Sequence, residues 1–208
     1  MKKCLLLVIA FITFASARGP YLDAGFGWGE IKTKIDNKDY VKESNTLLFN
    51  NVREDAFELD IKIGYGPFGL GVVPLYVAAD LDMLQHNITN DLYLDNNVNF
   101  NTYVFGPSVI IYPVSIIQIG LSAGISVTTV EMTSENIEID SDLGYMYSVS
   151  AAYDFGAGLE TRYKELLGNH TCLIGVKYFG AKNPTYAGKS IKTEMPSIFI
   201  KYAYIRRN

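Results

Sequence analysis

Apolar and polar residues alternate with a period of two along most of the chain. In "FELDIKIGY" (57–65), for example, Phe57 and Leu59 alternate with Glu58 and Asp60. This alternation is typical of a β-strand, whose successive side chains point to opposite faces. The pattern predicts eight strands, at residues 21–30, 57–65, 69–82, 98–112, 117–129, 145–163, 171–180 and 197–205.

The sixth predicted strand, residues 145–163, is unusually long. Its odd positions are mostly apolar or aromatic, whereas its even positions are mostly small or polar. Strands of soluble proteins usually have about five or six residues, and a tilted strand crosses a bilayer in about 9–11. We therefore expect one continuous strand that has its apolar face toward lipid and continues beyond the bilayer on the external side.

The connections between the predicted strands alternate between long and short. The long ones follow strands one, three, five and seven, at about residues 33–55, 84–97, 131–143 and 181–195. The short ones follow strands two, four and six, at residues 66–69, 113–115 and 164–169. An even number of strands with long external and short periplasmic connections is typical of a transmembrane barrel. The chain is therefore predicted to be all-β, an eight-stranded antiparallel up-and-down transmembrane β-barrel.

A closed barrel in hydrocarbon pairs every backbone donor and acceptor, and its apolar face points at lipid. The small and polar face then points into the lumen, which in an eight-stranded barrel is wide enough only for side chains. The register at the last short turn places Asp154 and Lys177 within reach of an ion pair. A plug of paired charges is the favoured interpretation, and a conducting path is the alternative. The predicted polar network of the lumen comprises Asp23, Glu58, Asp60, Lys62, Asp154, Glu160, Arg162, Lys177 and Lys201.

Aromatic residues gather near the ends of the predicted strands. Amphipathic rings collect at the two boundaries of a membrane, where the ring is dry and the polar group is wet. The alternative is that these rings fill a soluble core. The predicted membrane-interface aromatics are Trp28, Phe57, Tyr65, Tyr112, Tyr145, Tyr163 and Tyr178.

The N-terminus has the features of a secretory signal peptide. Lys2 and Lys3 precede the apolar run "CLLLVIAFITF", and Ala15-Ser16-Ala17 provides a small-x-small cleavage site. We expect residues 1–17 to be removed and residues 18–208 to form one outer-membrane barrel domain. Cys4 lies within the signal, which leaves Cys172 alone and excludes an intrachain disulfide in the mature chain.

Composition and charge exclude several classes of protein. Hydrophobic residues make up 49% of the chain and charged residues 19%, which is too apolar for a disordered protein. The net charge of −4 comes with no basic stripe, so nucleic acid is not an expected partner. Of the two histidines, His86 is expected in an external loop and His170 at a periplasmic turn. Neither has a serine and a carboxylate at catalytic spacing, so we predict neither an enzyme nor a cofactor.

In its signal peptide, eight alternating strands and four longer loops, the chain resembles the small outer-membrane barrels of the OmpA, OmpX and OmpW type. Many such barrels finish on an aromatic residue, whereas this chain ends with Tyr204, Ile205, Arg206, Arg207 and Asn208. The resemblance covers the whole mature chain and implies localisation in the bacterial outer membrane.

Two functions are compatible with this architecture. The first is a structural or adhesive barrel with a closed lumen, whose external loops bind host or surface ligands. The second, which the OmpW-like resemblance suggests, is a narrow pore or a carrier of small hydrophobic molecules. A soluble, lipocalin-like barrel is disfavoured because its apolar faces would point inward. The expected partners are outer-membrane lipids, and we expect a monomer.

Overall fold

A computed structural model shows a single antiparallel sheet that closes on itself. It describes residues 19–36, 38–39, 52–70, 73–90, 98–132, 137–158, 168–185 and 189–206. The elements are β1 (Gly19–Gly29), β2 (Lys32–Ile35), β3 (Lys38–Asp39), β4 (Val52–Leu70), β5 (Val73–Asn90), β6 (Val98–Val114), β7 (Ile117–Met132), β8 (Ile137–Asp140), β9 (Gly144–Asp154), α1 (Phe155–Gly158), β10 (His170–Pro184) and β11 (Ser190–Ile205).

The first and last long strands close the barrel. β1 pairs with β4 on one side and with β11 on the other, where the register runs from Tyr21↔Ile205 to Gly29↔Ser197. The ring contains eight long strands in the order β1, β4, β5, β6, β7, β9, β10, β11. β2 continues the pairing of β1 with β11, as far as Ile35↔Ile191, and β8 extends the sheet beside β7. The predicted eight-stranded antiparallel barrel is confirmed.

The outer surface of the barrel is apolar. Outward side chains such as Phe26, Ile63 and Val176 are 52%, 58% and 58% exposed, which is unusual for a surface that faces water. The outward positions change from apolar to polar between Met83 and Gln85 on β5. We call this level the external boundary; the strands continue beyond it. None of the described helices is long and apolar enough to cross a membrane.

The strands are longer above the external boundary than the sequence predicted. β5 continues to Asn90 and β10 to Pro184, so that only residues 185–189 separate β10 from β11. The prediction that the connection at 181–195 is long is therefore wrong. The backbone ladder continues although the outward residues turn polar, and the alternation of apolar and polar residues fades there while the pairing persists.

The predicted strand at 145–163 is also wrong in its second half. β9 ends at Asp154, and the helical turn α1 follows. The Asp154 carboxylate accepts a hydrogen bond from Ala157 N at 2.9 Å, which satisfies a free amide of this turn. The connection between β9 and β10 therefore spans residues 155–169 and is not one of the short turns. The predicted signal peptide, residues 1–17, lies outside the described residues and stays a prediction.

Candidate functional site

Side chains fill the lumen in layers, and the central layer is charged. Lys177, which projects inward from β10, is 3% exposed. Its ammonium group lies 2.5 Å from Glu58 Oε1, 2.7 Å from Asp60 Oδ2 and 2.7 Å from Asp82 Oδ2. One lysine thus joins β10 to β4 and β5, on the other side of the lumen.

Two further lysines extend this charged layer. Lys62 lies 2.9 Å from Asp60 Oδ1 and 2.7 Å from Asp80 Oδ1. Lys201 lies 2.7 Å from Asp60 Oδ2 and 3.3 Å from Asp23 Oδ1. Three ammonium groups therefore contact five carboxylates, and Asp60 contacts all three lysines. Buried charges cost several kcal/mol each unless they are paired and hydrogen-bonded, so the layer is stable only as a connected network.

Glu58, Asp60 and Asp82 also have the arrangement of a metal site, since their ligand atoms lie within 4.8 Å of one another. The Lys177 ammonium already occupies the space between these carboxylates. The arrangement therefore fits a lysine rather than a metal ion. Gly27 provides the room for Glu58, because a Cβ at Gly27 would lie 2.8 Å from Glu58 Oε2.

An aromatic layer fills the periplasmic end of the lumen. The rings of Tyr21, Tyr76 and Tyr112 form a row, with centroid distances of 5.3 Å and 5.9 Å. Gln118 Nε2 donates hydrogen bonds to the Tyr21 and Tyr112 hydroxyls at 3.0 Å and 2.9 Å. The Tyr112 hydroxyl donates to Asp154 Oδ2 at 3.2 Å, which connects this layer to the turn α1.

An apolar layer fills the external half of the lumen. It consists of Ile31, Leu84, Val104, Met146, Phe179, Ala181 and Met195. Farther out, the His86 ring stacks on Phe100 with centroids 5.7 Å apart, and Thr33 Oγ1 lies 3.0 Å from His86 Nδ1. Burial lowers the pKa of His86 from 6.5 to about 4. His86 therefore lies within β5, and its predicted place in an external loop is wrong.

Most residues predicted for the lumen network lie inside the barrel. Asp23, Glu58, Asp60, Lys62, Asp154, Lys177 and Lys201 are all buried there. The expected pair of Asp154 with Lys177 is wrong, because Asp154 lies opposite Leu173 whereas Lys177 lies opposite Ser150. Asp154 instead accepts a hydrogen bond from Thr171 Oγ1 at 2.6 Å. Glu160 and Arg162 lie outside the described residues.

Sequence reasoning missed Asp80 and Asp82 as members of the charged layer. Both lie on β5, at the same parity as the inward-facing Tyr76 and Ala78, and this parity was the available signal. Pro74 obscured it, because a proline interrupts the pattern expected of a central strand.

The predicted interface aromatics divide into two groups. Trp28, Phe57, Tyr145 and Tyr178 are exposed on the outer surface, and Tyr65 is partly exposed there. The placement of Tyr112 on the outer surface is wrong, because this residue is 5% exposed and faces the lumen. The neighbouring run "VIIY" is apolar on both faces, so the sequence did not distinguish them. Tyr163 lies outside the described residues.

Comparisons with solved structures identify the fold. The chain is similar to the attachment invasion locus protein Ail of Yersinia pestis, solved in complex with the heparin analogue sucrose octasulfate, with a TM-score of 0.52 and 10% identity over 88% of this chain and 97% of that chain. It is also similar to Neisserial surface protein A, with a TM-score of 0.50 and 10% identity over 89% of this chain and 98% of that chain.

Both similar structures are small outer-membrane barrels of eight strands, so the predicted resemblance in fold is confirmed. No protein-family model matches the chain. No curated protein matches it in sequence.

Proposed function

We propose that the chain is an outer-membrane barrel with a closed lumen that presents a surface-exposed sheet and loops for adhesion. The observation that carries this proposal is the filling of the lumen by three layers of side chains. Tyr21, Lys177 and Phe179 represent the aromatic, charged and apolar layers and are at most 3% exposed. The solved structure of Ail, an attachment protein by its name, has the same fold and supports the adhesive part.

The charged layer gives the barrel rigidity rather than selectivity. Lys177 contacts carboxylates of two strands on the far side of the lumen, so an ion that passed along the axis would have to displace it. The buried carboxylates would then lose their partner, at a cost of several kcal/mol. This argues for a fixed plug over the narrow pore.

The strands that continue past the external boundary form the proposed adhesive platform. On β5, for example, the described ladder extends from Gln85 to Asn90 on the external side. Paired strands hold a loop in a defined position, and binding residues commonly lie on loops held by a rigid scaffold. The platform therefore holds the segments between the strands in a fixed position, where they are exposed to the surroundings of the cell.

Recording from planar bilayers tests the closed lumen. The refolded protein, shown to be inserted by its heat-modifiable migration in gels, should give no steady unitary current steps. Regular steps would overturn the closed barrel in favour of the pore. Uptake of small hydrophobic solutes by cells that produce the protein would support the carrier instead.

Adhesion is tested on whole cells that display the protein. Replacing residues 41–49 with a glycine-serine segment of equal length should reduce attachment to immobilised host matrix several-fold. The same replacement at residues 160–166, in the connection at the opposite end of the barrel, is the matched control and should leave attachment unchanged. Equal attachment by both variants and by cells without the protein would contradict an adhesive function.

A further inference from the structure

Four lysines project outward from three adjacent strands just above the external boundary. In the ladder, Lys182 of β10 is the partner of Lys192 on β11, which is in turn the partner of Lys34 on β2. Lys32 lies two residues before Lys34 on the same outward face. We call Lys32, Lys34, Lys182 and Lys192 the lysine row.

An apolar groove lies on the outer wall directly below the lysine row. The groove has a volume of about 660 Å³ and opens outward. Its outward-facing lining residues are Trp28, Val149, Ala151, Val176, Tyr178, Pro196 and Ile198. Tyr178 precedes Lys182 by four residues on β10, so the groove and the row are separated by about 13 Å along the strand.

Small residues create the groove between large ones. Ala151 on β9 is the ladder partner of Val176 on β10, and Pro196 on β11 is the ladder partner of Tyr178 on β10, so a smaller residue lies beside a larger one on each side of β10. Its lining is almost entirely apolar and faces the hydrocarbon side of the barrel, where the only available occupant is an acyl chain.

The charge of the lysine row indicates which chemical group lies above the acyl chain that fills the groove. Lys192 lies 2.6 Å and Lys34 3.7 Å from the Glu194 carboxylate, so Glu194 neutralises part of the row. Lys32 and Lys182 are exposed and have no ion-pair partner among the described residues.

The outward positions above the boundary on β5, β6 and β7 carry no lysine or arginine in the part of the chain described: they are Gln85, Asn87, Thr89, Asn99, Asn101, Thr129 and Glu131. None of these seven outward positions is positively charged, whereas the side of the barrel that carries the groove also carries the lysine row.

We propose that this side of the barrel binds a phosphate-bearing lipid of the outer leaflet, with an acyl chain in the groove and the phosphate on the lysine row. Long lysine side chains reach along an apolar surface and keep the ammonium group in the polar zone. Lysine binds phosphate as a point charge, so no fixed fork geometry is needed. This inference rests on the proposed location in the outer membrane.

The test uses the refolded full chain in nanodiscs that contain lipid A, either bisphosphorylated or dephosphorylated. Retained lipid is quantified by mass spectrometry after extraction and native purification. The wild-type protein should retain the bisphosphorylated form selectively. The triple substitution Lys34→Gln, Lys182→Gln, Lys192→Gln should weaken retention about a hundredfold, because a basic residue at a membrane surface contributes about fivefold to the affinity for anionic lipid.

Three further variants locate the site. Glu194→Gln removes the competing carboxylate and should strengthen retention. Ala151→Phe fills the groove and should weaken retention of lipid A while leaving all four lysines of the row in place. A charge-transposed variant combines the triple lysine substitution with Gln85→Lys, Asn101→Lys and Thr129→Lys, which are ladder partners on β5, β6 and β7. It keeps the net charge and should not regain wild-type retention, because the three new lysines do not lie above the groove.

The outcomes separate this inference from the proposed function. If the protein inserts and is heat-modifiable but retains both forms of lipid A equally, the lipid site is wrong and the outer-membrane barrel stands. If a deacylated phosphosugar or sucrose octasulfate displaces lipid A completely, the row binds a soluble polyanion and the acyl part of the proposal is wrong. If the chain does not insert into bilayers at all, the proposed function itself fails.

Discussion

The Lys177 ammonium on β10 lies 2.7 Å from Asp82 Oδ2 on β5, and these two strands are diametrically opposite in the ring of eight. A single contact therefore spans the whole lumen. The barrel is thus held both by its continuous backbone ladder and by side chains that join strands without a shared edge.

Substitution of Lys177 should destabilise the barrel strongly. Lys177→Met leaves the carboxylates of Glu58, Asp60 and Asp82 without this ammonium group, and breaking a buried ion pair costs about 3–5 kcal/mol. Urea unfolding in lipid bilayers, followed by fluorescence, measures the free energy of unfolding. Lys189→Met, at an exposed position, is the control and should change it by less than about 0.5 kcal/mol. Equal midpoints for the two variants would contradict the charged layer.

The inward position of Tyr112 predicts a specific effect of removing one hydroxyl. Tyr112→Phe deletes the hydrogen bonds to Gln118 and Asp154, and leaving such buried groups unsatisfied costs about 1–3 kcal/mol. Tyr145→Phe, on the exposed outer surface, removes a hydroxyl without this loss. The same unfolding measurement should therefore show a larger loss of unfolding free energy for Tyr112→Phe than for Tyr145→Phe. Equal losses in the two variants would contradict the inward position of Tyr112.

Burial of His86 predicts a loss of stability in mild acid. The unfolded chain protonates this residue near pH 6.5, whereas in the folded protein burial lowers the pKa of His86 to about 4. Because the unfolded state binds the proton first, the free energy of unfolding should fall as the pH drops from 6.5 to 4, by about 3 kcal/mol in total. Above pH 6.5 both states are neutral and His86 contributes no pH dependence.

The matched variant for this effect is His86→Gln, which cannot titrate. Carboxylates that titrate in the same range are present in both proteins, so the difference between the two pH profiles isolates His86. Parallel profiles between pH 7 and pH 4 would show that His86 is accessible to water in the folded protein.

Trp28 reports the depth of the outer wall. It is the single tryptophan of the chain and is 52% exposed on the outward face of β1. In bilayers of brominated lipids, bromine near the headgroup should quench its fluorescence more than bromine near the chain ends. For comparison, Trp28→Phe combined with Ile200→Trp moves the tryptophan deeper into the bilayer along the apolar outer wall. In this variant, bromine near the chain ends should quench the fluorescence more than bromine near the headgroup. Quenching of neither protein would mean that this face does not contact lipid.

The sequence predicted the faces of the strands better than their ends. A period of two determines which residues point inward, and it placed Glu58, Asp60 and Lys177 in the lumen. It failed at Tyr112, where both faces are apolar. It also failed after Asp154, because "FGAG" continues the alternation although the backbone turns into a helix.

The partners of the buried charges were beyond the reach of sequence reasoning for a different reason. Neighbouring strands can be aligned from the parity of their turns, and this led to the incorrect pair of Asp154 with Lys177. Contacts across a lumen depend on strand tilt and on the closure of the ring, which no local pattern encodes. Asp82 meets Lys177 only because three strands on either side, between β5 and β10, complete the circle.

The bridge from Lys177 to β4 and β5 has a consequence for biogenesis. An open sheet in the bilayer would expose this ammonium group and its three acidic partners to acyl chains, at a cost that neither half of the sheet can offset alone. Insertion and ring closure should therefore occur as one concerted event. Intermediates that are inserted but have an open ring should be too unfavourable to accumulate in lipid.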